Sequence, residues 1–266
     1  MTTYLTVGSI CWDLIEQTGE RRLGGSARFA SRAARSLGWE AVVLTSGTEE
    51  LEAAARAELA DVELVVQRSA TDTAFAFDDH AELGPHRLAG RAATIDLTTP
   101  EASALVVRAD VVHLAPVMGE IDDDTFAAAR RAPFVGLTPQ GLLRSADPTT
   151  GVLDRNGRYP SPWVDLVDAV VLSESEADRL ADAEDLRRTR SAVTLGERGC
   201  IGRWSIDEIV VPGIPVDADP VATIGAGDVF AATCFMALAG GVSFAEALQE
   251  ANRTAAAHVA RLADRA

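Results

Sequence analysis

Short apolar runs recur along the chain and alternate with alanine-rich stretches of helical spacing. The runs are residues 4–8, 41–46, 62–67, 110–115, 134–138, 169–173 and 191–196. Most are continuously apolar, which is the pattern of parallel strands covered on both faces. Between them lie "ARFASRAARSLG", "EELEAAARAELA", "DDDTFAAARRA" and "SESEADRLADA". Each has helical periodicity, and several open on acidic residues that suit the positive end of a helix dipole. Alternating strands and helices predict a three-layer α/β/α domain around a mainly parallel sheet.

Two stretches break the rhythm. Residues 71–95 alternate like a short edge hairpin around a turn, and residues 139–162 are rich in Pro, Gly and Asp and read as a long loop. One further extended piece, "IDEIVVPGIPV", precedes two helices at the C-terminal end. The expectation is one domain over residues 1–266, with a small lid from 71–95.

Composition narrows the function classes. The chain has 266 residues, 47% hydrophobic and 24% charged, with net charge −16. No basic block or stripe appears, so a nucleic-acid surface is not expected. All basic residues are arginine. A Walker A loop, which needs a lysine, is therefore excluded. Cys11, Cys200 and Cys234 are isolated and have no metal-ligand spacing, which suits a reducing cytoplasm. The N-terminus lacks a basic, apolar leader, and no unbroken apolar run reaches membrane-spanning length, so no membrane partner is expected. His80 and His86 fall in the hairpin region, His113 in an apolar strand as a core residue, and His258 on the last helix.

The chemistry concentrates in "VATIGAGDVFAA", residues 221–232. Gly225, Ala226 and Gly227 let the backbone turn tightly at a helix start. The free N–H groups there form an anion site. Asp228 in the first turn can complement the dipole, or accept a proton from a hydroxyl that attacks a bound phosphate. A dinucleotide fingerprint fits poorly, because Phe230 stands where its third glycine belongs.

This stretch resembles the C-terminal signature of the ribokinase-like (phosphofructokinase-B type) carbohydrate kinases. "TVGSICWDLI", "LGGSARFASRAARSLG", "VVLSESEADRL", "VTLGERGC" and "ANRTAAAHVAR" resemble that family's other segments, in the same order over essentially the whole chain. The resemblance implies a ribokinase-like fold with a reduced β lid. It makes Asp228 the base, with Gly225, Ala226 and Gly227 as the anion hole. Asp13, Gly24 and Gly25 would hold sugar or polyol hydroxyls, and Glu176 would position Mg²⁺ through water. Thr194, Gly196 and Gly199 would lie along ATP, with Asn252 near its base. Without the resemblance, Asp13 reads as a turn cap, Glu176 as a solvated helix residue, and Thr194 and Asn252 as packing or capping residues.

The chain departs from the family in four places. Phe29 replaces a polar residue after the glycine pair, and Ser173 replaces the Asn of Asn-x-x-Glu. Ala222 replaces an acid that helps hold a monovalent cation, so potassium activation is not implied. Only ten residues separate Asp13 from Gly24, where many relatives insert lid strands. The reduced lid weakens the expectation of a homodimer paired through lid strands. Phe29, the small lid and "LTPQGLLR" resemble the inositol-kinase-like branch. Gln140 and Arg144 become candidate substrate or phosphate contacts, with a plain surface loop as the other reading of Arg144. The implied activity is ATP-dependent phosphorylation of a small sugar or cyclic polyol, inositol-like. The alternatives are a nucleoside kinase, or a catalytically silent sensor that binds nucleotide or sugar.

Overall fold

The computed structural model describes residues 2–78, 85–154 and 156–264. Its main sheet has nine strands: β1 (Thr3–Val7), β4 (Glu40–Gly47), β5 (Glu63–Arg68), β8 (Val111–Leu114), β9 (Val135–Leu137), β10 (Ala169–Ser173), β11 (Arg190–Thr194), β12 (Gly199–Trp204) and β13 (Asp207–Pro212). Their order is β13-β12-β11-β10-β9-β8-β1-β4-β5. All neighbours from β11 to β5 run parallel, and only β12 and β13 are antiparallel.

The seven strands expected from apolar runs all form, because both faces of this sheet are covered. Successive residues point to opposite sides. Tyr4 enters the layer beneath α1 (Ser26–Ser36), α2 (Glu49–Glu58), α6 (Ala226–Ala239) and α7 (Phe244–Ala263), while Leu5 and Val7 enter the layer beneath α3 (Pro100–Arg108) and α4 (Asp123–Ala129). These layers make the three-layer architecture. The stretch 221–239 is long and apolar enough to cross a membrane, with mean hydropathy 1.7, yet 56% of that window is buried in the fold. Helix α6 is the core helix, packed against α1, α7, β8 and β10.

Several elements differ from expectation. "SESEADRLADA" forms only one helical turn, α5 (Glu174–Ala177), because the chain then turns inward to bury Leu180. The Thr99 hydroxyl caps α3 by accepting from the Ala102 N–H, with Pro100 in its first turn. No helix was expected there. The loop at 139–162 contains one short 3₁₀ turn, Gln140–Leu143, and runs into a second, Pro162–Asp165.

A second sheet of four strands lies in the order β3-β2-β6-β7. Strands β6 (Ala74–Phe77) and β7 (Arg87–Gly90) come from the expected hairpin region; His80 lies outside the described residues. The other two, β2 (Cys11–Ile15) and β3 (Glu20–Gly24), form a hairpin where the short Asp13-to-Gly24 spacing suggested a missing strand pair. The lid therefore exceeds residues 71–95. It rests on the main body through Cys11, Ile15, Phe75, Phe77, Val117, Met118 and Leu153.

Candidate active site

The first-turn backbone of α6 is set by Gly225, the N-cap, at φ 80°. Only glycine adopts this left-handed conformation without steric cost. A Cβ at Gly225 would also run into the ring of Phe29, whereas one at Gly227 would meet open space. The exposed face of this helix start opens on a cavity of about 380 Å³. Gly225, Gly227 and Asp228 line it together with Asp13, Gly25, Ser26, Phe29, Gln140, Arg144, Glu176 and Thr194. Ala226 follows Gly225 as the first helical residue.

Asp228 faces this cavity. Burial pushes its carboxyl up to about 7, against the lowering effect of a hydrogen bond from Ser26; the charge of Glu176 pushes the same way as burial, and Arg144 opposes it. A carboxylate that titrates near neutrality suits a general base.

Asp13 reaches the cavity from β2 on the lid sheet. Its Oδ2 lies 3.7 Å from Nε of Arg22, its cross-strand partner on β3. Burial raises its pKa, and the nearby Arg22 and Arg28 oppose that. Gly24 faces it: a Cβ there would sit 2.5 Å from Asp13 Oδ2. The next residue, Gly25, caps α1 at φ 97° and packs against the Ser9 carbonyl. The glycine pair thus seats the carboxylate and starts the helix.

Arg144 is the only cationic side chain among the described residues of the cavity wall. It stacks over Phe75, donates through Nη1 to the Val117 carbonyl at 3.1 Å, and lines a second cavity of about 570 Å³ as well. Gln140, two residues after Thr138 and just beyond β9, also faces this cavity. Phe29 lines the cavity, packs on Gly225 and meets the His258 ring edge-on at 6.5 Å. It links the cavity wall to the start of α6.

The departure at Ser173 has a local explanation. Ser173 and Glu176 form a capping box: the Ser173 hydroxyl accepts from the Glu176 N–H, and Glu176 Oε2 accepts from the Ser173 N–H at 2.8 Å. Glu176 thus starts α5 through Oε2 and still lines the cavity. A hard oxygen donor facing a phosphate-sized site fits Mg²⁺, directly or through water. Ala222 is buried in the turn before α6, and Asp219 is occupied as that turn's cap, accepting from the Val221 N–H.

The donor side is divided. Thr194 is on the cavity wall; Gly196, Gly199 and Asn252 are not among its lining residues. Gly199, at φ 95°, packs against β13, and the Asn252 carboxamide donates to the Pro212 carbonyl at 2.9 Å.

Glu120 had no sequence signal. It is 2% exposed and accepts backbone N–H groups from Ser9, Val117 and Met118. It ties the turn after β1 to the loop that carries the Arg144 contact. Val117 and Met118 are its neighbours in sequence, but Ser9 lies 111 positions away and only the fold brings it to Glu120.

Residues 13–266 match the model of the pfkB family carbohydrate kinases. Among solved structures, a pyrophosphate-dependent kinase in the ribokinase family, complexed with a pyrophosphate analog and myo-inositol, superposes with TM-score 0.79 at 19% identity, covering 96% of this chain and 94% of that one. The Arabidopsis thaliana ribokinase complexed with ribose and ATP gives 0.68 at 18% identity, covering 98% and 99%. The adenosine kinase from Sinorhizobium meliloti gives 0.68 at 17% identity, covering 99% of each chain. No curated protein matches.

Proposed function

From the premise that the chain belongs to the pfkB family of carbohydrate kinases, with a ribokinase-like fold, we propose that it phosphorylates a hydroxyl of a small cyclic polyol, inositol-like, in the cytoplasm. One observation carries this reading. The lid carboxylate Asp13 and the helix-start carboxylate Asp228 face the same cavity, with Arg144 as its described cation.

The roles follow from the chemistry of each group. Asp13 accepts hydrogen bonds from ring hydroxyls and orients the acceptor. Gln140 supplies both donor and acceptor atoms to the same ring. Asp228 takes the proton of the attacking hydroxyl as its oxygen bonds to phosphorus and the bond to the leaving phosphate oxygen breaks. The N–H groups of Gly225, Ala226 and Gly227 hold the charge spread over the transferred phosphoryl. Arg144 clamps a phosphate oxygen. Glu176 would hold Mg²⁺, which when bound neutralises charge on the donor phosphates.

ATP is the donor the family implies, with Thr194, Gly196 and Gly199 along its phosphates and Asn252 near its base. A second reading, inorganic pyrophosphate, is favoured by a specific observation: the cavity wall includes Thr194 but not Gly196, Gly199 or Asn252, and the Asn252 amide is engaged with Pro212. The likeness to a pyrophosphate-dependent kinase supports it.

The test is product release from ATP or pyrophosphate, with Mg²⁺, across inositols, pentoses, hexoses and nucleosides. Turnover of a cyclic polyol supports the proposal, and the better donor decides between the two readings. Turnover of nucleosides alone would overturn it. Donor-dependent thermal stabilisation without turnover of any acceptor would mark a sensor.

A further inference from the structure

Beneath α6 a polar chain runs through a mainly apolar layer. Tyr4 and His113 are fully buried. Tyr4 Oη lies 3.0 Å from His113 Nδ1, and His113 Nε2 lies 3.0 Å from Thr138 Oγ1. Thr138, the residue after β9, lines the catalytic cavity. The three residues sit on β1, on β8 and just past β9, which are neighbours in the sheet. Gly136 leaves room for the Phe235 ring, which holds the imidazole at 5.0 Å between centroids.

Burial lowers the His113 pKa to about 3, so the ring is neutral. A neutral imidazole has one N–H and one lone pair. Two proton orders are then available. In one, the Tyr4 hydroxyl donates to Nδ1, Nε2–H donates to Thr138, and the Thr138 hydroxyl proton is free to point into the cavity. In the other, Nδ1–H donates to Tyr4 and Thr138 donates to Nε2. The second order leaves the Tyr4 hydroxyl proton without an acceptor, since His113 is its only hydrogen-bond partner among the described residues. A buried donor without an acceptor bears its full desolvation penalty. The first order leaves no donor stranded, because substrate or water in the cavity can accept from Thr138.

We propose that Tyr4 fixes His113 as the Nε2–H tautomer, and that this makes Thr138 a dedicated hydrogen-bond donor to an oxygen of the acceptor substrate. Asp13 and Asp228, when ionised, only accept hydrogen bonds. Thr138 supplies the opposite polarity, so the site reads a hydroxyl by both its proton and its lone pair. Thr138 is the specificity contact; His113 and Tyr4 are positioning residues that act through it. The substrate half of this inference rests on the polyol-kinase reading above.

Two measurements test it. Ring-¹⁵N NMR of the ligand-free protein should show one buried, neutral histidine as Nε2–H, identified as the ring perturbed by Tyr4→Phe. An Nδ1–H tautomer at that ring overturns the proposal. In steady-state kinetics, Thr138→Val should raise the acceptor KM about tenfold with kcat nearly unchanged, the loss of about one hydrogen bond. Thr138→Ser should restore most of the affinity. Tyr4→Phe, which keeps the ring packing, should raise KM by a smaller factor. An unchanged KM in Thr138→Val overturns the substrate contact. If no polyol is turned over or bound, the kinase reading fails and the substrate contact with it, while the NMR result still decides the proton order.

Discussion

Gly24→Ala separates the seating of the acceptor carboxylate from the stability of the fold. The Cβ introduced at Gly24 would lie 2.5 Å from Asp13 Oδ2 and 2.7 Å from both Cγ and Oδ1. An ordinary contact needs at least about 3.4 Å, so the carboxylate must retreat by about 1 Å. Gly24 is not among the positive-φ glycines, so alanine meets no left-handed backbone strain. What must yield is the tip of one side chain, and the folding cost is correspondingly small. Gly-to-Ala at a compatible position can even stabilise by about 0.4–1 kcal/mol. Catalysis is less tolerant: a shift of about 1 Å in a positioning group can cost about 10²-fold, or about 2.7 kcal/mol of transition-state stabilisation. Gly24→Ala should therefore lower kcat/KM for the acceptor by about 10²-fold with little change in melting temperature. Asp13→Asn and the double variant complete a cycle, and the double variant should lose little more than Asp13→Asn alone. A Gly24→Ala enzyme within about threefold of wild type, by the same arithmetic, would refute the claim that Gly24 exists to seat Asp13.

Three other predictions follow from named contacts. Asp228→Asn should lower kcat by at least about 10³-fold, and wild-type kcat/KM should rise with pH through the titration of a group near 7. The raised pKa also has a stability sign: the folded state holds a proton that the unfolded state releases, so stability falls from about pH 4 to about pH 7. Asp228→Asn should therefore gain melting temperature relative to wild type at pH 8 compared with pH 4, and an equal offset at both would refute it. Gly225→Ala should destabilise by at least about 1–2 kcal/mol from φ strain alone, with Phe29 displaced in addition, as read by urea unfolding. Glu120→Ala strands three N–H donors and should cost about 3 kcal/mol or more, and Glu120→Gln less; a melting temperature equal to wild type would refute the anchoring role.

The parallel sheet was legible because its strands are buried on both faces and write continuous apolar runs. The lid hairpin was not. "CWDLI" and "ERRLG" are partly exposed strands on the covering sheet, and their residues are chosen for Arg22–Asp13 pairing and Trp12–Arg21 stacking. Strand β12, "GCIGRW", was hidden by its glycines; a Cβ at Gly202 would collide with Leu248, so that position answers to α7. The helix-start glycines and Asp228 were readable because their chemistry is local. Glu120 and the Tyr4–His113–Thr138 chain were not, since their meaning lies in partners up to 111 and 109 positions away.

Phe29 carries a consequence for how this enzyme can change. Its ring borders the acceptor cavity on one side and rests on Gly225 on another, with His258 against its edge. A mutation that enlarges the proposed acceptor pocket at this position would also loosen the Gly225 turn, which the proposed mechanism uses to hold the donor phosphate. New acceptor preferences should therefore arise first at Gln140 or Phe75, which border the same cavity from the turn after β9 and from β6, and position 29 should move late, if at all, in a directed-evolution lineage.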